Sequence, residues 1–201
     1  GRGALYNIGW NNNGQIAFIS APNDTLLTYN YNERGMETLL FAPAIDDRYG
    51  AGKITTRIGL QADAVAFTKD TDIFAYVRHH LAQNSRIKCV LVDEAQFLTK
   101  PQVAQLALIA DELNTPVLAY GIRTDFRGEP FPGSLYLLAW ADILIELKTI
   151  CHCGRKATMN IRIDEEGNSV MEGEQVEVGG NERYIAACRR HFRLRQDHKA
   201  I

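Results

Sequence analysis

Long hydrophobic runs are missing from this 201-residue chain. No stretch approaches the ~18 apolar residues that a membrane span needs, and the first residues lack a basic segment followed by an apolar one, so neither an anchor nor an export signal is indicated. Charge of one sign is missing too: 22 Lys and Arg stand against 24 Asp and Glu, a net charge of −2. Such a balance offers no general attraction for a polyanion, which counts against nucleic acid as the main partner. The local exception, Arg189, Arg190, His191, Arg193 and Arg195, reads as the solvated end of a C-terminal helix. Cysteine is scarce, with 4 in all, and without an export signal they do not form a disulfide framework. A cytoplasmic protein is expected. The chain contains no internal repeat and no low-complexity segment.

What is there is an ordinary globular composition, 46% hydrophobic, with room for one α/β domain and a small appendage. From Ile16 to about Asp142 short apolar runs alternate with longer amphipathic stretches, the pattern of parallel strands covered by helices. Ile16–Ser20 reads as the first strand, Thr38–Phe41, Cys89–Val92 and Pro116–Gly121 as further ones, and Ile143–Leu147 as a fifth. Their unbroken apolar character suits strands buried on both faces, and Cys89 reads as core. Thr99-Lys100-Pro101-Gln102 is a capping box that opens a helix to Leu113, closed by Asn114-Thr115-Pro116. Thr71 or Asp72 caps a second helix from Ile73 to about Gln83. After Thr149 the character changes to a β-rich subdomain: an alternating stretch over Met159–Asp164, a turn at Glu166-Gly167-Asn168, and a strand-like Gln175–Val178. Three regions follow: an α/β domain over 1–148, a subdomain over 149–193 and a flexible tail over 194–201.

Three of the four cysteines fall in that subdomain. Cys151-x-Cys153 and Cys188-x-x-His191 offer four ligands in two close pairs, as a closed tetrahedral zinc site requires. A hairpin between the pairs can bring them together, and so small a unit needs such a staple. Four protein ligands leave no position for water, which makes the site structural. His152 competes for the same ion, although adjacent residues rarely both reach it.

The run Cys89-Val90-Leu91-Val92-Asp93-Glu94 delivers two carboxylates at the C-terminal edge of a strand, where open α/β sheets bind ligands. Such a pair suits phosphoryl transfer: one carboxylate helps to hold Mg2+, the other accepts a proton from an attacking hydroxyl. A phosphate cradle of the usual kind needs glycines, a lysine and a Ser or Thr hydroxyl after the first strand. Here Ser20-Ala21-Pro22-Asn23-Asp24-Thr25-Leu26-Leu27 holds neither glycine nor lysine. Gly50-Ala51-Gly52-Lys53-Ile54-Thr55 has Ile54 at the hydroxyl position and reads as a flexible loop.

Seven segments in order carry a resemblance: Tyr29-Asn30-Tyr31-Asn32-Glu33-Arg34-Gly35-Met36, Ile45-Asp46-Asp47-Arg48, Val92-Asp93-Glu94-Ala95-Gln96-Phe97, Tyr120-Gly121-Ile122-Arg123-Thr124-Asp125-Phe126-Arg127-Gly128, Cys151 to Cys153, Gly179-Gly180-Asn181-Glu182-Arg183-Tyr184, and Cys188 to His191. Together they resemble the type II, or bacterial-type, thymidine kinase family from about Ser20 to Phe192. The resemblance implies a P-loop NTPase-like parallel sheet flanked by helices, a zinc-binding subdomain, and transfer of the ATP γ-phosphate to the 5′-hydroxyl of thymidine or deoxyuridine. It makes Glu94 the general base and Asp93 the Mg2+ partner, with Gln96 completing that motif. Asp46 and Arg48 match an element near the phosphates, and Ser20 and Asn23 are what remains of the phosphate loop. Phe126 matches an aromatic that stacks on the base, and Tyr184 lies in a lasso-like loop that closes over thymine. Backbone groups of Val176, Val178 and Gly179 would read the base edge. Similar enzymes are homotetramers.

The family's loop is of the Ser-Ala-Met-Asn-Ser-Gly-Lys-Ser type, and its glycine and lysine are absent here. The first reading is a thymidine kinase using ATP, Mg2+ and structural zinc. The alternative is a catalytically impaired, kinase-like protein that still binds the nucleoside. A third is a zinc-ribbon protein whose Arg189–Arg195 stretch contacts nucleic acid. A fourth treats the first thirty or so positions as a truncated, rearranged or misread form of the usual N-terminal segment.

Overall fold

The computed structural model describes residues 7–10, 16–21, 24–27, 37–44, 53–55, 61–147, 149–176 and 183–195, with only the backbone course for those before residue 37 and for 53–55, 61 and 62. They divide into two compact units, one of Tyr6–Ile122 with Pro132–Leu144, the other of Arg123–Phe131 with Ile145–Ile201.

The first unit opens with three strands, β1 (Asn7–Trp10), β2 (Ile16–Ala21) and β3 (Asp24–Leu27), paired antiparallel in the order β1-β2-β3. This corrects the expectation that Ile16–Ser20 begins the parallel sheet. Ala21 pairs with Asp24, so the chain turns straight back, whereas a parallel neighbour needs a crossover of roughly a dozen residues or more. The parallel sheet consists of β4 (Glu37–Pro43), β7 (Val65–Phe67), β8 (Ile87–Val92) and β9 (Val117–Ala119) in the order β7-β4-β8-β9. Between β4 and β7, β5 (Lys53–Thr55) and β6 (Gln61–Asp63) pair antiparallel, so the end of the expected flexible loop is a strand, while residues 50–52 lie outside the described residues.

Burial on both faces of β8 accounts for its unbroken apolar sequence. Val90 and Val92 belong to one core cluster, and the alternate residues Cys89 and Leu91 are buried as well. Helices α1 (Ile73–Gln83) and α2 (Lys100–Leu113) contribute Ile73, Val77, Val103, Leu106 and Ile109 to that cluster, alongside Phe41 and Phe67 of the sheet. Each such side chain, fully buried, stabilises the fold by ~1.5–3 kcal/mol. Both helices start where the capping residues predict. The Asp72 carboxylate accepts the Ala75 N–H at 2.9 Å, and Thr99 and Gln102 form the reciprocal capping box. Buried Gln102 also donates to the carbonyls of Thr68 and Thr71, at 2.7 and 3.1 Å, tying the start of α2 to the turn before α1. Asn114 ends α2 in a left-handed conformation. A third helix, α3 (Pro132–Trp140), follows residues of the second unit.

Ile143–Leu147 is not a strand. Ile143 is 73% exposed and Leu144 61%, and the segment runs through the point where the chain passes between units. An apolar run becomes a strand only beside a partner's backbone, and among the described residues this one has none.

The second unit holds a hairpin of β10 (Thr149–Ile150) and β11 (Lys156–Ala157), a sheet in the order β13-β12-β14 from β12 (Met159–Ile163), β13 (Ser169–Val170) and β14 (Tyr184–Ala187), and helix α4 (Arg189–Leu194). The turn between β12 and β13 lies at Glu166-Gly167-Asn168 as expected. The Asp164 carboxylate accepts the backbone N–H of Asn168 at 2.7 Å, which holds its pKa below the ordinary value, and Gly167 has φ +80°, a conformation glycine adopts without cost. The strand expected over Gln175–Val178 is not formed in its described part: Gln175 and Val176 are irregular, and the hairpin's second strand is Ser169–Val170. Side chains anchor this stretch instead, because Arg162 Nη2 donates to the Glu174 carbonyl at 2.8 Å and Gln175 reaches Asp125. Phe192 of α4 packs with Ile161 and Ala187 in a small core.

Candidate active site and metal centre

In the parallel sheet the chain leaves β4 toward β7 on one side and leaves β8 toward β9 on the other. The C-terminal ends of β4 and β8 therefore form a topological switch point, the place where ligands bind in open α/β sheets. Asp93 and Glu94 follow β8 directly, and the segment with Asp46 and Arg48 follows β4, although those two residues, with Asn23, Val178 and Gly179, lie outside the described residues. The two strand ends are locked by the Asp93 N–H, which donates to the Phe41 carbonyl at 2.9 Å.

Glu94 has φ +49° and ψ 41°, a left-handed conformation that costs a non-glycine residue ~1–2 kcal/mol. Hydrogen bonds hold it there. Its N–H donates to Asp93 Oδ1 at 2.9 Å, the next N–H, of Ala95, donates to the Tyr120 carbonyl at 2.7 Å, and a 3-10 turn follows over Ala95–Phe97. Gln96, 2% exposed, donates from Nε2 to Glu94 Oε2 and accepts the Ile122 N–H on Oε1 at 3.2 Å. Both ends of one buried amide are thus used to aim a half-buried carboxylate. Backbone crowding enforces the arrangement: a Cβ on Gly121 would lie 2.6 Å from Gln96 Oε1, and one on Gly133, in the first turn of α3, 2.6 to 2.8 Å from the carbonyls of Ala95, Gln96 and Leu98. The Tyr120 phenol is pushed up to about 12 by burial first, then by Cys89 and Asp93, so it remains a neutral hydroxyl within the field of Asp93.

In the other unit Phe126 is 1% exposed. The Arg162 guanidinium lies 3.8 Å from the centre of its ring and 5.6 Å from that of Tyr184, so Arg162 stands against both aromatics implied in base binding. Buried Asp125 shapes the loop that carries Phe126, accepting the N–H groups of Arg127 at 2.8 Å and Glu129 at 2.9 Å, two bonds from the Arg127 guanidinium, and Gln175 Nε2 at 3.3 Å. Val176, half-buried, follows Gln175. Neither Asp125 nor Arg162 is singled out by local pattern. Asp125 lies in the Tyr120–Gly128 segment, and one of its partners, Gln175, is 50 residues away; for Arg162 the only signal is a charge in an alternating strand.

Cys151, Cys153, Cys188 and His191 converge, with their ligand atoms all within 4.8 Å of one another. Cys151 Sγ lies 3.3 Å from His191 Nδ1, Cys188 Sγ 3.7 Å from the same nitrogen, and Cys153 Sγ 3.9 Å from Cys188 Sγ. Tetrahedral bonds of ~2.0–2.3 Å to nitrogen and sulfur place donors ~3.4–3.8 Å apart, so the donor set fits zinc. The knuckle is the loop between β10 and β11, closed by the Cys151 and Gly154 N–H groups on the carbonyls of Arg155 and Cys151, each at 2.8 Å, with Gly154 at φ +77°. Burial raises the Cys151 thiol, but hydrogen bonds from the Cys153 backbone and the His191 ring outweigh it and bring it down to about 6, toward the thiolate a metal needs. His152 is outside this set, its ring stacked on that of His191 with centroids 4.2 Å apart.

Ser20, the remaining residue expected near the phosphates, is on β2 of the antiparallel sheet. Among the described residues no helix is long and apolar enough to cross a membrane.

Comparison with known proteins gives a consistent result. The family model for thymidine kinase matches residues 24–192. The thymidine kinase of Coxiella burnetii is 66% identical over 182 residues, 90% of this chain and 93% of that protein. That of Legionella pneumophila strain Lens is 59% identical over 180 residues, 88% of this chain and 86% of its own. That of Salmonella typhimurium is 57% identical over 166 residues, 83% and 80% of the two chains.

Proposed function

The chain belongs to the thymidine kinase family, and we propose that it transfers the γ-phosphate of ATP, as its Mg2+ complex, to the 5′-hydroxyl of thymidine or deoxyuridine. The observation that carries the reading is Glu94, left-handed at the switch point, with its carboxylate bonded by a buried glutamine that also accepts the Ile122 N–H. Strain of this kind persists only where surrounding structure over-determines it, and it collects at active sites. Glu94 takes the proton from the attacking hydroxyl and Asp93 helps to hold Mg2+, which when bound would neutralise charge developing on the phosphates. Gln96 positions Glu94. Asp46, Arg48, Ser20 and Asn23 are assigned to the phosphates, Phe126 and Tyr184 to the two sides of the base, and the backbone of Val176, Val178 and Gly179 to its edge.

Zinc held by Cys151, Cys153, Cys188 and His191 is structural in this reading, since all four positions are taken by protein. Residues 1–148 act as the kinase domain, 149–193 as the zinc and lasso subdomain, and 194–201 as a tail, of which 196–201 lie outside the described residues. A homotetramer is the assembly the family resemblance implies, and exposed Leu135, Leu138 and Trp140 of α3, with Ile143 and Leu144, support association, because apolar surface of this kind marks interaction sites. Cytoplasmic location accords with free thiols at the metal cluster.

One observation favours the second reading, a nucleoside binder with impaired turnover: residues 20–27 hold neither glycine nor lysine, and Ser20 lies on β2 of an antiparallel sheet, not at the end of a parallel strand. Phosphorylation of labelled thymidine, with Glu94→Ala as the control, separates the two. A working kinase loses ~10²–10⁴-fold in kcat with that substitution. Thymidine binding without any turnover would reduce the chain to a nucleoside-binding relative.

A further inference from the structure

The kinase reading makes no use of the arginines around the metal cluster. Arg155, Lys156, Arg189, Arg190 and Arg193 line an open surface concavity of about 390 Å³ that reaches Cys188 of the metal cluster. All five cations are exposed. Lys156 is paired with Glu146, whereas among the described residues the four arginines form no ion pair. They come from two elements that the metal ligands join. Arg155 and Lys156 leave the knuckle, and α4 follows Cys188 immediately and carries Arg189, Arg190 and Arg193.

Such crowding has an electrostatic cost. Arg189 and Arg193 are four apart on one helix, a like-charge spacing that destabilises it, and Arg190 and Arg155 add to the same field. Zinc bound by three thiolates and a neutral imidazole would carry one net negative charge, too little to balance four arginines. A multiply charged anion in the concavity removes the repulsion and gains charge-assisted hydrogen bonds, for which guanidinium forks are suited.

We propose that this concavity binds a small polyphosphate, such as the phosphate chain of a nucleotide or inorganic triphosphate, recognised by charge and not by a base. Among the described residues its lining contains no aromatic ring on which a base could stack, and a chain with a net charge of −2 repels an extended polyanion beyond the cationic patch. The ligand is therefore short. The site lies wholly in the second unit and stands whether or not the chain phosphorylates thymidine.

Calorimetric titration of the full zinc-loaded chain with inorganic triphosphate tests it, with Arg189→Ala/Arg193→Ala beside Arg78→Ala/Arg86→Ala, which removes the same charge from the first unit. Loss of two charge-assisted contacts weakens binding at least about tenfold in the first pair, while the second stays within about twofold of the parent. Probe bound elsewhere is common to all three proteins, so the difference between them isolates the concavity. Zinc content and circular dichroism establish that each variant is folded, and Arg155→Gln, outside α4, weakens binding severalfold if the first pair proves unstable. Equal weakening in both pairs, or no triphosphate binding by the parent, overturns the proposal. So does tight binding of a single-stranded oligonucleotide of about 20 residues that triphosphate does not displace, which would assign the patch to nucleic acid.

Discussion

Asp125 shows how much one side chain carries. Its carboxylate satisfies two backbone N–H groups, an arginine fork and Gln175, so Asp125→Ala strands several donors. Arg127 is 39% exposed and can turn to water, which limits the loss to ~2–4 kcal/mol in denaturant unfolding. A second prediction concerns Tyr120, whose pKa is raised from 10.0 to about 12 by burial first, then by Cys89 and Asp93. The folded state holds the proton more tightly than the unfolded chain does. The stabilisation is therefore complete below pH 10 and is lost as pH climbs through about 12. Stability measured across that window falls in the parent and falls less in Tyr120→Phe. At this scale sequence was informative wherever a residue acts through its neighbours, as with Asp72, Thr99 and Gly167, and silent for Arg162, whose partners Phe126, Glu174 and Tyr184 are brought to it by the fold.

Among the elements, helices followed their local signals most closely. Capping chemistry belongs to four consecutive residues, and Thr99 to Gln102 form the box their types predict. Strands were less faithful. Ile16–Ser20 is extended but pairs antiparallel, and Ile143–Leu147 is equally apolar yet pairs with nothing among the described residues, because strand identity depends on a partner that the segment does not itself encode. The contact of α3 with the 3-10 turn gives a sharp test. Gly133→Ala puts a methyl group within 2.6 to 2.8 Å of three backbone carbonyls, atoms that cannot rotate away, so α3 must shift. We expect a loss of ~1–3 kcal/mol and, since the same turn carries Gln96, a fall in kcat greater than the rise in KM. Unchanged stability would mean that α3 does not rest on this turn in solution.

For the whole molecule, the two units differ in what holds them. The first has a continuous core of sheet and helix residues; the second has small clusters around Phe192 and around the cysteines, too little apolar area to hold itself. Chelation of zinc should therefore speed hydrogen exchange in residues 149–195 well before it affects β8 and α2. Uniform exchange in both units, with or without chelator, would mean that the metal does not stabilise the fold.

Sequence by itself determined the central strand Ile87–Val92, the caps of α1 and α2, the Cys-x-Cys and Cys-x-x-His pairs that converge in a cluster fit for zinc, and the Asp93-Glu94 pair, because each is written in residue types at short spacing. Tertiary structure decided which strands are neighbours, and so that Asp93 and Glu94 stand at a switch point. It also decided that Gln96 and Gly121 aim Glu94, and that five cations from a knuckle and a helix share one concavity. Each of these depends on segments distant along the chain meeting in space, which only the burial of the core and the closing of the metal site bring about.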